Sequence, residues 1–235
     1  MQKDRLVEIR KGETGTGLLI EHDGYISADC GENRKLFEEI NAHVDGEFHC
    51  PKPFIVSAVF QKFGIENANG RIYPEDILKR EVDKYQIKIR EKRAIGECNH
   101  PSESVIDLSR VAMNITELHW EGHTLLGKME ILVSEGFRRY GIISCQADQV
   151  AHLLLSGIKI GVSSRGLGTV QNRYGKLIVA DDYEIVCWDV VSDPSTPDAW
   201  ITEEDNIPRQ YVESKSPEKS PLFEKLDKFK DWLNG

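Results

Sequence analysis

The 235-residue sequence predicts an α+β fold of short strands with isolated helices packed on them. Three observations carry this. β-Branched and aromatic residues alternate on both sides of Glu121-Gly122, which predicts a β-hairpin over 111–133. Strand-length apolar runs recur as FIVSAVF (54–60), IKIGVS (158–163), LIVA (177–180) and EIVCWDVV (184–191). After Pro74, Leu78, Val82, Tyr85 and Ile89 return at spacings of four, three and four, the period of one amphipathic helix.

Composition bounds the rest. A 40% hydrophobic content over this length supports one core with appendages. The net charge of −9 argues against a nucleic-acid surface. No apolar run reaches membrane-span length, and the start MQKDRLVEIRKGE has no signal-peptide core, so the expectation is a soluble, non-secreted protein. Cys30, Cys50, Cys98, Cys145 and Cys187 are scattered without a CxxC pair and read as reduced thiols. His49-Cys50 and Cys98-x-His100 have no second pair at zinc spacing, so no metal or cofactor is expected.

Residues 1–52 form an N-terminal arm to which the sequence assigns no role. GETGTG (12–17) and EHDGY (21–25) read as turns and RKLFEEINAHV (34–44) as a short helix. From Pro53 a domain begins that runs to about 203. Strand 54–60 is followed by the Asn69-Gly70 turn, and Pro74 with Glu75 and Asp76 opens the long helix. In AIGECNHPSE (94–103), Pro101 biases His100 away from helical geometry and holds it in a loop; taken alone, it reads as an ordinary surface histidine. QADQVAHLLL (146–155) predicts a second helix, with Val150, Ala151, Leu154 and Leu155 on one face.

GVSSRGLG (161–168) then follows a strand-like run, so its two serines are expected at or just after a strand end. Gly-Ser runs ordinarily mark turns. A serine used as a nucleophile needs a base, a group holding that base, and oxyanion donors. Asp189 interrupts the apolar run 184–191, and a carboxylate there is either paired in the interior or on a solvent face. A carboxylate that orients a histidine is the specific alternative. Beyond Trp200, residues 204–221 read as a flexible linker. Residues 222–235 read as a small amphipathic helix bearing Leu222, Leu226, Phe229 and Leu233.

Four separated blocks, NANGRIYP (67–74), GECNHP (96–101), GVSSRGLG (161–168) and DPSTPDAW (193–200), together and in this order resemble the prohead, or capsid-maturation, serine proteases of large tailed bacteriophages. The resemblance spans about 53 to 202. It implies a mostly antiparallel β-barrel surrounded by helices, similar to the herpesvirus assemblin proteases. It also implies His100 as the base, Ser163 as the nucleophile and Asp189 as the carboxylate supporting His100, with backbone N–H groups around Arg165 and Gly166 holding the oxyanion. The Arg165 side chain would either assist that oxyanion or pair with a structural carboxylate. Residue chemistry alone leaves Ser163 and Ser164 equivalent.

The same resemblance implies scaffold or core proteins and the major capsid protein as substrates, inside the assembling prohead in the host cytoplasm. It further implies cleavage after glutamate with an apolar residue two positions earlier. Leu6-Val7-Glu8, Ile201-Thr202-Glu203 and Leu222-Phe223-Glu224 fit, so Glu8, Glu203 and Glu224 are candidate self-cleavage points; Leu36-Phe37-Glu38 shows that the triplet also arises by chance. A catalytically silent capsid or scaffold-associated protein on the same fold is the rival reading. A serine hydrolase of non-peptide esters and a metal-dependent nuclease or peptidase are the others. Retention of His100, Ser163 and Asp189 weighs against the silent form.

Overall fold

The computed structural model describes residues 7–21, 24–26, 50, 52–101 and 103–192. The helix expected over 34–44, the DPSTPDAW block, the linker 204–221 and the helix 222–235 lie outside the described residues. Within them the chain is α+β and mostly strand. The strands are β1 (Gly15–Ile20), β2 (Gly24–Ile26), β3 (Ile55–Lys62), β4 (Arg71–Ile72), β5 (Ile95–Glu97), β6 (Val111–Glu121), β7 (Thr124–Ile131), β8 (Ile160–Arg173), β9 (Lys176–Val179) and β10 (Glu184–Val191). The helices are α1 (Glu75–Arg90), α2 (Glu135–Tyr140) and α3 (Gln146–Leu155).

The strands make one sheet in the order β4-β9-β8-β2-β3-β7-β6-β5, with β1 and β10 also pairing β8; every ladder except β4–β9 is antiparallel. The expected closed barrel is not found. The path ends at β5, which lies against β10 without forming a ladder with it; the residue after β5, Cys98, makes an isolated bridge to Val190. β5 is only three residues long and spends its ladder on β6, and the Glu97 amide meets the Asp189 side chain across this seam.

Several expected elements appear where periodicity put them. The hairpin is β6–β7, with Glu121 opposite Thr124. α1 begins directly after Pro74, has Glu75 and Asp76 in its first turn and Lys88 and Arg90 in its last, and buries Ile77, Leu78, Val82 and Tyr85. It packs on β6 and β10, while α3 packs on β6 and β7. Under α1, Trp188 is wholly buried, edge-on to Tyr85 at 4.9 Å and to Phe60 at 5.7 Å between ring centroids.

The N-terminal arm is woven into this sheet. β1 starts inside the GETGTG stretch read as a turn and pairs β8 along six residues. The NANGRIYP block holds it there by clamping buried Glu21. Arg71 Nη1 donates to Glu21 Oε1 at 2.6 Å, the Tyr73 hydroxyl at 2.8 Å, and Asn69 Nδ2 reaches Oε2 at 2.9 Å, with Asn67 Nδ2 also on Oε2. Arg71 also donates to the Ile9 carbonyl. Burial opposes the Arg71 charge, but Glu21 outweighs it and leaves the guanidinium above its ordinary value. Glu21 N–H in turn donates to Ser164 O at 2.7 Å.

A second buried carboxylate ties α2 to α3. Asp148 accepts from Ser134 N–H (2.7 Å) and Oγ (2.8 Å), Ser144 N–H (2.9 Å) and Oγ (2.9 Å), and Cys145 N–H (3.2 Å). Burial raises Asp148, but these donors prevail and hold it at about 2. A depressed native value contributes stability above the unfolded carboxylate value and loses it as pH falls through the native one. The stability difference between the parent and Asp148→Asn in urea is therefore expected to shrink by about 2 kcal/mol between roughly pH 5 and pH 1. A difference that stays constant over that range would contradict this role.

Candidate active site

The two serines of GVSSRGLG do not sit at a strand end. They are the fourth and fifth residues of the 14-residue β8, flanked by β10 on one side and by β1 and β2 on the other. The glycines that suggested a turn serve packing instead. A Cβ on Gly166 would lie 2.4 Å from the Tyr183 ring, so only glycine lets that ring lie flat on the strand.

Successive residues of a strand point to opposite faces, and directly paired residues share a face. Register therefore separates the serines. Ser164 is opposite Trp188, on the core face, and its buried Oγ makes no hydrogen bond among the described residues. Ser163 is opposite Asp189 on the other face, with Arg165 two residues on.

His100 reaches that face from the seam. Gly96 lies against β10 so closely that a Cβ would be 2.0 Å from Trp188 O, which is why the GECNHP block begins with glycine. Asn99 takes φ 64°, a left-handed geometry that asparagine tolerates, and its N–H donates to Val190 O at 2.8 Å. This turn aims the imidazole at β8. His100 Nδ1 is 2.8 Å from Asp189 Oδ2, and Nε2 is in hydrogen-bond contact with Ser163 Oγ. With the carboxylate as acceptor, Nδ1 carries the proton and Nε2 accepts from the serine hydroxyl.

Asp189 is held on every side. Its Oδ1 accepts from Glu97 N–H at 3.0 Å, Arg165 Nη2 at 3.3 Å and the Cys187 thiol at 3.3 Å. Arg165 Nε makes an ion-pair contact with Oδ2 at 3.0 Å. The guanidinium also pairs with Glu97 Oε2 and donates to the Glu103 carbonyl at 2.6 Å. Burial works against its charge, but Asp189 and Glu97 outweigh that and leave Arg165 above its ordinary value. Burial first, then Asp189, pushes the Cys187 thiol up, so it stays protonated.

The Arg165 side chain is paired with carboxylates. It is wholly buried and spent on Asp189, Glu97 and Glu103. It stands behind the imidazole, not in a cavity. The Arg165 and Gly166 backbones lie inside β8 with strand partners on both flanks, Ile20 and Cys187 for one and Leu19 and Ile185 for the other. The β8–β10 register shifts beside them, between Ile185 and Cys187.

A cavity of about 290 Å³ opens beside His100, lined by Glu8, Ile20, Asn99, Pro101, Val191 and Ser192. Glu8, singled out as a cleavage point, borders this cavity, while Ile9 N–H donates to Leu18 O (3.0 Å) and Leu18 N–H to Val7 O (3.1 Å). Ile9 itself is buried, so the Glu8–Ile9 bond is locked in the structure. Glu203 and Glu224 lie outside the described residues. The sequence reading passed over Glu97, Glu21 and Arg71, which lie outside the strand-like runs; their burial and their ion pairs come from the fold.

An α+β sheet carrying a serine, a histidine and a carboxylate in hydrogen-bonded series is the constellation of a nucleophilic hydrolase. The chain belongs to the prohead core protein serine protease family, whose pattern it matches over residues 18–214. It is 32% identical over 166 residues to the prohead core protein protease of Enterobacteria phage T4, an alignment covering 69% of this chain and 72% of that protein. Its fold is similar to that of the bacteriophage T4 capsid assembly protease, with a TM-score of 0.57 and 23% identity over 75% of this chain and 98% of the other. The family match begins well before residue 53 and so takes in the end of β1 and all of β2. Membership makes this a peptidase of capsid maturation, acting in the assembling prohead.

Proposed function

We propose that this chain is a serine endopeptidase in which Ser163 is the nucleophile, His100 the general acid–base and Asp189 the group that orients it, cutting scaffold or core proteins and the major capsid protein. The observation that carries this reading is the unbroken series from Ser163 Oγ through both nitrogens of His100 to Asp189 Oδ2. Ser163 Oγ attacks the peptide carbonyl as its proton passes to Nε2. The C–N bond then breaks, with Nε2–H protonating the leaving amine. Water, deprotonated by the same nitrogen, hydrolyses the acyl-enzyme and returns the proton to Oγ. Asp189 stabilises the imidazolium in both halves of the cycle.

The substrates, cleavage after glutamate with an apolar residue two positions earlier, and self-processing near Glu203 and Glu224 belong to this proposal. Cleavage after Glu8 would first require the Val7–Leu18–Ile9 bridge to open. The test is co-expression with the scaffold and shell proteins of the same virus, followed by intact mass. The parent is expected to yield fragments ending in glutamate, and His100→Ala none. Turnover of small esters without polypeptide cleavage would point to an ester hydrolase. Intact partners with the parent would point to the silent structural protein.

A further inference from the structure

We propose that Glu97 and Arg165 are positioning residues that set the electrical balance of the active site so that it is neutral only when His100 is protonated; this rests on the Ser163–His100–Asp189 reading. Three ionic side chains lie together with no exposure to solvent: Arg165, Asp189 and Glu97. One cation against two carboxylates leaves a single buried negative charge. The imidazolium formed during attack cancels it. In a medium of low dielectric an uncompensated buried charge is costly, so the cluster favours the state with His100 charged, which is the state of the transition state.

Geometry gives each member its place. Glu97 spans the seam: its N–H donates to Asp189 Oδ1, its Oε2 holds Arg165, and its Oε1 accepts Asp107 N–H at 2.7 Å. Arg165 passes that charge on to Asp189, with Nε 3.0 Å from the oxygen that also faces His100. The other titratable groups around the cluster do not alter the count. Tyr85 of α1 is driven well above its ordinary value by burial and then by Asp189, and is neutral. Cys187 and the half-buried Cys98 are raised by burial and remain thiols. Glu8 is exposed at the cavity rim, Glu103 presents only its carbonyl to Arg165, and Arg110 bonds Cys98 O at 2.9 Å.

The two residues carry opposite charges, so their removal has opposite signs. In Glu97→Gln the acid limb of the pH profile of kcat/KM is expected to move down by about one pH unit, because Arg165 and Asp189 then cancel without the imidazolium. In Arg165→Gln it moves up by a similar amount. In the double variant only Asp189 is left, the single negative charge returns, and the limb returns to the parent's position. Glu97→Asp keeps the charge and leaves the limb in place. The assay uses full-length protein and a peptide spanning a mapped cleavage point, with thermal melting of each variant alongside. Loss of rate with an unmoved limb, movement of both single variants in one direction, or a limb displaced as far in Glu97→Asp as in Glu97→Gln overturns the proposal alone. Parental activity in Ser163→Ala overturns the triad and this inference with it.

Discussion

Ser163→Ala is expected to abolish peptide cleavage, lowering turnover on the order of 10⁶-fold, while Ser164→Ala cuts as the parent does. The contrast comes from two adjacent side chains on opposite faces of one strand. Ser163 shares its face with Asp189 and lies on His100 Nε2; Ser164 lies opposite Trp188 in the core. Ser164 Oγ is also a buried hydroxyl without a partner among the described residues, so removing it restores nothing and costs nothing by way of hydrogen bonding. Its alanine variant is expected to melt at or slightly above the parent's temperature, since an unsatisfied buried hydroxyl carries a desolvation cost of about 1–3 kcal/mol. Intact mass of a mapped substrate and a thermal melt, run side by side on both variants, give the answer. Loss of cleavage in Ser164→Ala with a native melt would mean that the register places the wrong serine at the site.

The second large effect is expected at Asp189. Asp189→Asn preserves shape and removes charge, and turnover is expected to fall on the order of 10⁴-fold with a much smaller change in KM. Oδ2 now accepts the Nδ1 proton and faces Arg165 Nε; Oδ1 takes the Glu97 amide. An amide has one acceptor oxygen and one donor nitrogen for these places. If the NH₂ group faces His100, Nδ1 must become the acceptor, and Nε2 then carries the proton and cannot take one from Ser163. If it takes the Oδ1 place instead, it opposes the Glu97 N–H and Arg165 Nη2, donor against donor in the interior. Either arrangement removes the ionic partner of the imidazolium. Burst kinetics with an activated ester would register this as a slow acylation step. A loss of less than tenfold in a folded variant would assign the orienting role to another group.

Part of this was legible in the chain. The hairpin 111–133, α1 and α3 follow from local period and turn residues, and the structure reproduces them within a residue or two. The Asn-His-Pro stretch was readable as a loop, because Pro101 acts on the local backbone of His100; the positive φ of Asn99 that aims the imidazole came from the fold. Reading GVSSRGLG as a turn failed because glycine's local meaning depends on what lies above it. Here that is Tyr183, fifteen or more residues away in sequence, whose ring occupies the space of the missing side chains at Gly166 and Gly168. The N-terminal arm was opaque for a similar reason. GETGTGLLI carries too short an apolar run to announce a strand, and its place is fixed by pairing with β8 and by the Glu21 clamp.

What the sequence by itself determined was the inventory: an α+β chain, a histidine in a braced loop, a serine pair, and a carboxylate in an apolar run that had to find a partner. Four blocks in order were enough to point to the family. Which serine faces the histidine, what holds Asp189, and what Arg165 does were decided only by the tertiary structure. The physical reason is register. A shift of one residue between β8 and β10 would exchange the faces of every side chain on the strand, and nothing within either segment counts that residue. The count is made across the sheet, by Trp188 seeking Tyr85 and Phe60 on one face and by Arg165 and Asp189 finding each other on the other.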